Sequence, residues 1–230
     1  AGSLEGFSRD NLRLGEVVVR MVSWKPRVMV LENFLSEEEC DLLVDMGRPH
    51  LRESMVIDKD NSASIKTRQR TSWGGFLTER RHHEATDHIA DRISFYTQLP
   101  NENAEDMQIL RYQEGQEYSP HYDWFQDRAS ALSAGQRAVT ILMYLSDVEG
   151  GGETIFPNFN GTCDCGRKKG IKGLSINPKK GQALVFWNLT PEGVVDPLTL
   201  HGGCPVVAGE KWSATRWIRQ RCVGRGCNPK

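Results

Sequence analysis

Ser119-Pro120-His121-Tyr122-Asp123-Trp124 (residues 119–124) is the stretch around which the rest of this chain of 230 residues can be interpreted. Residues two apart on a β-strand point to the same face, so the pattern predicts that His121 and Asp123 face one ion from one strand. An imidazole nitrogen beside a carboxylate oxygen suits a first-row transition metal. Taken alone, a His-x-Asp pair is by default interpreted as a surface pair on a loop, so the prediction depends on a third ligand.

A candidate for that third ligand is His201, which lies far downstream in Leu200-His201-Gly202-Gly203. Two histidines and one carboxylate form the facial triad of non-haem Fe(II) oxygenases, which leaves metal positions open for chemistry. The two glycines after His201 permit a close approach of the backbone. A lone histidine at this position would be interpreted as a turn residue, and only the combination with His121 and Asp123 favours a metal site.

The charge and the hydropathy of the chain exclude several function classes. With 29 basic and 30 acidic residues, the net charge is -1, and there is no charged block of the kind that binds nucleic acid or a membrane surface. The longest apolar run covers residues 138–145 and is far shorter than the roughly 18 residues that a membrane span requires. No linker or repeat divides the chain, so the sequence predicts one domain over residues 1–230.

The cysteines and two glycosylation sequons indicate the compartment. The even number of six cysteines allows all of them to be paired, whereas a zinc site is disfavoured because there is no Cys-x-x-Cys. Sequons begin at Asn160 and Asn188. Together these features favour the secretory pathway over the cytosol, and we expect the lumen of the endoplasmic reticulum or Golgi.

The first half of the chain is predicted to hold two helices and a long loop. Ser36 and Glu39 match a capping box that would begin a helix ending near Met46. Thr78 is predicted to cap a second helix that ends near Leu99. The polar segment 51–75 is typical of a loop between strands, and loops of this length are often lids or binding loops.

The second half favours antiparallel β-structure. Its short segments rich in β-forming residues are separated by glycine, proline and asparagine, and most connections are too short for crossover helices. The sequence therefore predicts an α+β fold in which helices pack against a sandwich or jelly roll. The predicted strands cover residues 107–112, 118–124, 138–146, 171–177, 183–187, 204–207 and 211–220.

Lys211, in Gly209-Glu210-Lys211-Trp212-Ser213, is a further candidate for the site. A lysine that points into a barrel is costly unless an anion meets it, and a dicarboxylate co-substrate would supply that anion. Most lysines are solvated at the surface, so this interpretation also depends on the rest of the pattern.

The chain also resembles a known family, and the resemblance runs in order over roughly residues 26–221. Four segments resemble the catalytic domain of prolyl 4-hydroxylases of the short plant and algal type, which belong to the Fe(II)- and 2-oxoglutarate-dependent dioxygenases. These are LRYQEGQEYSPHYDWF (110–125), VTILMYLSDVEGGGETIFP (139–157), PKKGQALVFWN (178–188) and LHGGCPVVAGEKWSATRWI (200–218). The resemblance implies a double-stranded β-helix, a jelly roll, with helices packed on one sheet, and a single catalytic domain over 1–230.

The resemblance implies a full set of cofactors and ligands. Fe(II) would be held by His121, Asp123 and His201, and the distal carboxylate of 2-oxoglutarate by Lys211 with Tyr112 and Thr154. The implied reaction converts peptidyl proline into 4-hydroxyproline with O2, giving succinate and CO2, and ascorbate would keep the iron reduced. Two alternatives remain: another 2-oxoglutarate oxygenase that acts on lysine or a small molecule, and a non-catalytic binder of proline-rich peptides.

The expected partner is a proline-rich peptide in the polyproline II conformation, which aromatic-lined grooves bind at a low entropic cost. The chain is expected to act as a monomer. Tyr118 and Trp217 are candidate aromatic contacts, although both could be ordinary core residues, and Arg137 could donate to a peptide carbonyl. At the end of the polar loop Arg68, Arg70 and Trp73 are further candidates, with a solvated strand edge as the alternative. The 58–70 part of this loop is expected to close over the peptide.

The resemblance also implies a disulfide between Cys40 and Cys204, since both family segments contain cysteine. We further predict a bridge between Cys222 and Cys227 near the end of the chain. Cys163 and Cys165 are too close for an easy mutual bridge, and their pairing stays open.

Overall fold

The computed structural model describes residues 17–54, 56–57, 64–65, 70–78, 83–223 and 227. The α-helices in this part of the chain are α1 (Glu37–Gly47), α2 (Glu84–Thr97) and α3 (Arg128–Ala134), and short 3-10 turns lie at Arg48–His50, Asn101–Asn103 and Pro197–Thr199. The strands in chain order are β1 (Val18–Trp24), β2 (Arg27–Glu32), β3 (Arg52–Glu53), β4 (Val56–Ile57), β5 (Ser64–Ile65), β6 (Trp73–Leu77), β7 (Met107–Tyr112), β8 (Tyr118–His121), β9 (Arg137–Tyr144), β10 (Gly150–Gly151), β11 (Thr154–Phe156), β12 (Thr162–Cys165), β13 (Lys168–Lys172), β14 (Leu174–Ile176), β15 (Ala183–Trp187), β16 (His201–Gly203), β17 (Val206–Ala208) and β18 (Lys211–Arg219).

Two antiparallel sheets form the frame of the molecule. The larger sheet has eight strands in the order β1-β2-β15-β9-β18-β7-β6-β3, and the smaller has four in the order β14-β11-β16-β8. Strands distant in sequence are neighbours in both sheets, as in the pairs β7 with β18 and β8 with β16. This arrangement confirms the predicted α+β class with a jelly-roll core.

Helices α1 and α2 and the smaller sheet cover opposite faces of the larger sheet. On one face, Leu43 of α1 and Ile89 and Ile93 of α2 are buried against Ile109 and Ile141 of the sheet. The other face is buried against the smaller sheet in a second cluster, which contains Val28, Val30, Tyr144, Phe156, Ile176, Leu184 and Phe186. The prediction that supporting helices pack on one sheet is thus confirmed, and it leaves the space between the two sheets for a site.

The predicted capping box at the start of α1 is confirmed. The Glu39 backbone N–H donates to Ser36 Oγ at 3.1 Å, and the Ser36 N–H donates to Glu39 Oε2 at 2.9 Å. Glu39 also pairs with Arg92 of α2, and both side chains are buried. Arg92 Nη1 donates further to the Phe34 carbonyl at 2.8 Å, so this buried ion pair ties the two helices together and gains an additional hydrogen bond.

The prediction that α2 begins at Thr78 is wrong, because the helix begins at Glu84. His83 has an extended backbone and caps the helix with its ring, whose Nδ1 accepts from the Ala85 N–H at 3.1 Å. Residues 79–82 lie outside the described part of the chain.

One of the two predicted disulfides is confirmed and the other is wrong. Cys222 pairs with Cys227 as predicted, but Cys204 pairs with Cys165 rather than Cys40. The hairpin of β12 and β13 brings Cys165 to a Cα–Cα distance of 5.2 Å from Cys204. Cys40 is instead a free thiol inside α1, where burial raises its pKa to about 12, and Cys163 is free as well.

No helix among the described residues combines the length and the apolar character that a membrane crossing requires.

Candidate functional site

A cavity of about 350 Å³ lies between the two sheets. Alternate residues of a strand share a face, so each strand contributes a row of side chains to the wall. The row from β18 consists of Lys211, Ser213, Thr215 and Trp217, and β9 adds Thr140 and Leu142. The smaller sheet supplies Tyr118, His121, Thr154 and His201.

The three predicted metal ligands meet in this cavity. His121 and His201 are directly opposite each other in the pairing of β8 with β16. Asp123 lies between their imidazoles, with its Oδ1 3.6 Å from His121 Nε2 and its Oδ2 3.5 Å from His201 Nε2. One potential ligand atom from each residue lies within 4.8 Å of the other two, so the three side chains could hold a single ion.

The expectation that His121 and Asp123 share one strand is wrong in its local detail. Strand β8 ends at His121, which forms the terminal pair of the ladder with His201, and Asp123 follows in a bend. In the described part of the chain the ladder of β8 and β16 ends at His121, and the Asp123 carboxylate in the bend that follows lies within 3.6 Å of both imidazoles.

The imidazoles are oriented for metal binding. Nδ1 of His121 lies 3.0 Å from the Ser119 carbonyl, and Nδ1 of His201 lies 2.9 Å from the Thr199 carbonyl. A carbonyl oxygen only accepts, so in the neutral ring Nδ1 carries the proton and Nε2 presents its lone pair to the cavity. The second ring nitrogens of metal-ligating histidines are held in this way.

The charge states of the buried ligands also fit a divalent metal. Burial lowers the pKa of His201 to about 4, so this ring is neutral near pH 7. Burial opposes ionisation of Asp123, but the adjacent imidazoles of His201 and His121 outweigh it and hold its pKa below the usual range. Two nitrogen donors and one carboxylate are the donor set that non-haem Fe(II) oxygenases use.

Lys211 occupies the inner end of the cavity and is 4% exposed. Its Nζ donates to the Gly152 carbonyl at 2.7 Å and lies 5.6 Å and 5.5 Å from the rings of Tyr112 and Tyr144. Burial lowers the pKa of the Lys211 ammonium to about 8, although nearby Glu153 acts in the opposite direction. An ammonium has three donors, so this buried cation retains the capacity to bind an anion.

Tyr112 and Thr154 lie beside Lys211, as the resemblance implies. Tyr112 is opposite Lys211 in the pairing of β7 with β18, and both it and Thr154 line the cavity. Thr154 Oγ1 is 2.8 Å from the Tyr144 hydroxyl, a contact that the sequence analysis did not include. The alternation Thr140, Leu142, Tyr144 along β9 was the signal that could have placed Tyr144 on the cavity side.

Tyr118 and Arg70 form part of the cavity mouth. The Tyr118 ring stacks on the His121 ring with centroids 3.7 Å apart and an angle of 17°. The Arg70 guanidinium lies 4.6 Å from the centroid of Tyr118, and its Nη2 donates to Gln108 Oε1 at 3.2 Å. Burial raises the pKa of the Tyr118 hydroxyl to about 12, so it stays protonated and can donate a hydrogen bond at neutral pH.

Arg137 and Trp217 form another part of the mouth. The Arg137 guanidinium lies 3.9 Å from the centroid of the Trp217 ring. Glu105 holds this guanidinium through two bonds, from Nε at 2.8 Å and from Nη2 at 2.7 Å. Glu105 was missed by the sequence analysis because it precedes β7, and its contact with β9 is visible only in the fold.

One predicted substrate contact among the described residues, Trp73, is not part of the cavity wall, and another cannot be placed. Trp73 lies on β6 opposite Arg111, outside the set of residues that line the cavity, whereas Phe76, of the opposite parity on the same strand, does line it. Arg68 and most of the 58–70 segment lie outside the described residues.

Comparisons with known proteins agree with this geometry. Residues 107–219 match the 2OG-Fe(II) oxygenase superfamily. Prolyl 4-hydroxylase 5 of Arabidopsis thaliana is 47% identical over 220 residues, which cover 93% of this chain and 75% of that protein. Prolyl 4-hydroxylase 1 of the same plant is 47% identical over 214 residues, covering 92% and 75%.

The solved structures extend the likeness to the fold. The 2OG complex of the viral collagen prolyl hydroxylase from Paramecium bursaria Chlorella virus-1 has a TM-score of 0.62 and 30% identity, covering 84% of this chain and 95% of that one. The likeness therefore does not rest on the fold alone, because the plant proteins are also similar in sequence over most of the chain. The chain belongs to the prolyl 4-hydroxylase family within the 2OG-Fe(II) oxygenase superfamily.

Proposed function

We propose that this protein hydroxylates C4 of peptidyl proline in proline-rich peptides, with 2-oxoglutarate and O2 as co-substrates and succinate and CO2 as co-products. The observation that most strongly supports this proposal is that the His121–Asp123–His201 cluster and the buried Lys211 line the same cavity. A cluster of metal ligands alone would suit many enzymes. A buried cation at the inner end of the same cavity matches a co-substrate with a carboxylate at its far end.

Fe(II) would be held by His121, Asp123 and His201, and with 2-oxoglutarate and O2 it supplies the oxidising chemistry. The residues themselves fix the donor atoms. The carbonyls of Ser119 and Thr199 keep both Nδ1 atoms protonated, so each ring presents Nε2 to the cavity. Three protein donors leave room for a chelating co-substrate and for O2.

Lys211 would bind the distal carboxylate of 2-oxoglutarate, with Thr154 and Tyr112 as hydrogen-bonding neighbours. The ammonium is held by the Gly152 carbonyl at 2.7 Å, which fixes its position before the ligand arrives. An anion in contact would favour the charged form and reverse part of the effect of burial on the Lys211 pKa. This contact would orient the co-substrate with its keto-acid end towards the triad, which lies in the same cavity.

The mouth of the cavity would bind the peptide. Tyr118, which stacks on His121, and Trp217 both provide aromatic surface in the cavity wall, which suits a preformed polyproline II helix. The bonds of Arg137 to Glu105 use two of the five N–H donors of its guanidinium, on Nε and Nη2, so others could donate to a peptide carbonyl. Arg70, and on the sequence argument Arg68 and Trp73, would contact the peptide from the side of the 58–70 segment.

The proposal extends to the cellular setting. The two disulfides support the lumen of the secretory pathway, where such bonds form and persist, and within it the endoplasmic reticulum or Golgi. Residues 1–230 would act as one catalytic domain and as a monomer. Ascorbate would serve as the reductant that the family resemblance implies.

Mass spectrometry of peptides tests the proposed reaction. The protein is incubated with Fe(II), 2-oxoglutarate and a peptide that contains both a proline-rich run and lysine. We expect one added oxygen on proline, located at C4 by amino-acid analysis, with an equal yield of succinate. The His201→Ala protein serves as the matched control for oxidation by unbound iron.

Three results would contradict the proposal in different ways. Hydroxylation of lysine without proline would remove the prolyl assignment while keeping the iron site. Succinate formation without peptide oxidation would indicate the wrong peptide class. Binding of proline-rich peptide without turnover would favour the non-catalytic alternative.

A further inference from the structure

We infer that Asn188 and Thr140 are positioning residues for the Asp123 carboxylate, and that they make it a metal ligand through one oxygen. The inference rests on the proposed iron site and concerns residues that the sequence analysis assigned to other roles or did not mention. Thr140 Oγ1 donates to Asp123 Oδ2 at 2.7 Å. Asn188 Nδ2 donates to Thr140 Oγ1 at 2.9 Å.

The direction of both hydrogen bonds follows from the acceptor at the end of the chain. The Thr140 hydroxyl has a single proton, and it donates this proton to Asp123 Oδ2. Thr140 Oγ1 must then accept from its other neighbour. Only the amide nitrogen of Asn188 can donate there, which fixes the orientation of the Asn188 amide.

The two positioning residues are built into the larger sheet rather than into the loop that carries Asp123. Thr140 lies on β9, opposite Phe186 of β15 and Trp217 of β18, and is 1% exposed. Asn188 directly follows β15, is 0% exposed, and its backbone N–H donates to the Ala138 carbonyl at 2.9 Å. Asp123 itself lies in a bend, and the hydrogen bond from Thr140 anchors its carboxylate to the sheet.

The burial of Asn188 has a cost that local packing does not explain. Its Oδ1 is buried and has no hydrogen-bond partner among the described residues. A buried amide oxygen without a partner is unfavourable, and leucine of similar size would avoid this cost. The contribution of the Asn188 side chain therefore lies in the bond that its nitrogen makes to Thr140.

The chemical consequence concerns how many coordination positions of the metal stay open for 2-oxoglutarate and O2. A carboxylate that bound the ion through both oxygens would occupy a position that 2-oxoglutarate or O2 needs. The Thr140 hydroxyl occupies a lone pair of Oδ2 and favours binding through one oxygen. Asn188 also begins one of the two sequons, and its complete burial assigns this asparagine to the interior of the protein, whereas Asn160 is exposed.

Metal affinity, measured without turnover, tests the inference. Binding of Fe(II) under anaerobic conditions is titrated calorimetrically for the wild type, Thr140→Val, Thr140→Ser and Asn188→Leu. We expect Thr140→Val to bind about 10- to 100-fold more weakly, the range found when the hydrogen-bond partners of metal ligands are removed. Thr140→Ser keeps the hydroxyl and should bind like the wild type.

A double variant tests whether Asn188 acts on Asp123 through Thr140, which we call the relay, or whether the two residues act independently. Asn188 acts only through Thr140, so Thr140→Val/Asn188→Leu should bind Fe(II) no more weakly than Thr140→Val alone. Thr97→Val is the matched control, because it removes a buried threonine hydroxyl that bonds the Ile93 carbonyl of α2, away from the cavity. It should lower stability without changing metal affinity.

The outcomes separate the inference from the proposed function. Wild-type affinity in Thr140→Val, or additive losses in the double variant, would overturn the relay while leaving the iron site intact. Failure of the wild type itself to bind Fe(II) would overturn the proposed function instead. If Thr140→Val does not fold, as judged by near-UV circular dichroism, the same decision rests on Asn188→Leu and Thr140→Ser, and wild-type affinity in Asn188→Leu then overturns the relay.

Discussion

The two ends of the cavity differ in how their side chains are held. At the inner end, Lys211, Thr154 and Tyr112 are buried and project from paired strands, so the backbone ladder fixes them. At the mouth, Arg137 and Arg70 are half-buried and are held mainly by side-chain bonds to partners distant in sequence. The inner end is a rigid site for one small charged molecule, whereas the mouth is an assembly of side chains suited to an extended peptide.

This difference decides how strongly each end responds to mutation. A charge interaction in a dry interior is much stronger than one that water screens, and an unpaired partner left behind is more costly. Contacts at the mouth are shared among several aromatic and polar groups, so the loss of one is partly compensated. We therefore expect substitutions at the inner end to weaken the binding of one ligand strongly, and substitutions at the mouth to have smaller effects on binding.

The largest effect should come from the metal ligands between the two ends. His121→Ala, Asp123→Ala or His201→Ala removes one donor of three, and we expect proline hydroxylation to fall to the background of the protein-free reaction. Anaerobic titration with Fe(II) should show the corresponding loss of affinity. An alanine variant with near-normal turnover would remove that residue from the triad.

The next effect isolates the inner end. Lys211→Ala should weaken 2-oxoglutarate binding by about 10- to 100-fold, since a charge-assisted hydrogen bond in a dry site contributes roughly 1.5–3 kcal/mol. The KM for peptide should change little. Lys169→Ala removes an exposed lysine that pairs with Asp164 on the β12–β13 hairpin and is the matched control. An unchanged 2-oxoglutarate KM in Lys211→Ala would refute the assignment.

The same difference explains what the sequence could and could not predict. Period-2 alternation along a strand is enough to put Lys211 and Trp217 on one face, and the predicted strand bounds 107–112 and 183–187 agree with the structure. The residues of the inner end were thus accessible to pattern analysis and to family resemblance. They are few, and their orientation follows from the backbone.

The contacts that sequence analysis missed all depend on the tertiary fold. Glu105, which precedes β7, accepts from Arg137 at the start of β9, and Asn188 is connected to Asp123 only through Thr140. The Cys40–Cys204 prediction failed for a similar reason, since nothing in the local sequence shows that the β12–β13 hairpin carries Cys165 to Cys204. Periodicity gives the face of a strand but not the neighbours that face it.

At the mouth, the contact between Glu105 and Arg137 should affect only the peptide. Glu105→Gln weakens the two charge-assisted bonds that hold the guanidinium beside Trp217, and we expect the peptide KM to rise by about 10-fold. The KM for 2-oxoglutarate and the affinity for Fe(II) should stay unchanged. Equal losses for peptide and 2-oxoglutarate would show that the two ends are not independent.

Control variants must separate this effect from a loss of stability. Glu105 also bonds Arg219 at 3.4 Å, so some destabilisation is expected. Arg137→Met removes the guanidinium itself, and the double variant Glu105→Gln/Arg137→Met should not raise the peptide KM above that of Arg137→Met. Additive increases would assign Glu105 a role of its own.

The smallest effect concerns pH and again belongs to the inner end. Burial lowers the pKa of Lys211 to about 8 in the protein without ligand, and only the protonated form attracts a carboxylate. The carboxylates of 2-oxoglutarate are ionised throughout the neutral range, so affinity falls as pH rises through the Lys211 pKa. Between pH 7 and pH 8.5 this predicts a loss of about 4-fold in apparent 2-oxoglutarate affinity.

Lys211→Arg is the control, because arginine keeps its charge in this range and its affinity for 2-oxoglutarate should not fall with pH. The affinity itself should be lower than that of the wild type, because the planar guanidinium fits the site poorly. Calorimetric titrations of both proteins with 2-oxoglutarate at a series of pH values check the prediction, and an equal slope in Lys211→Arg would assign the pH dependence to another group.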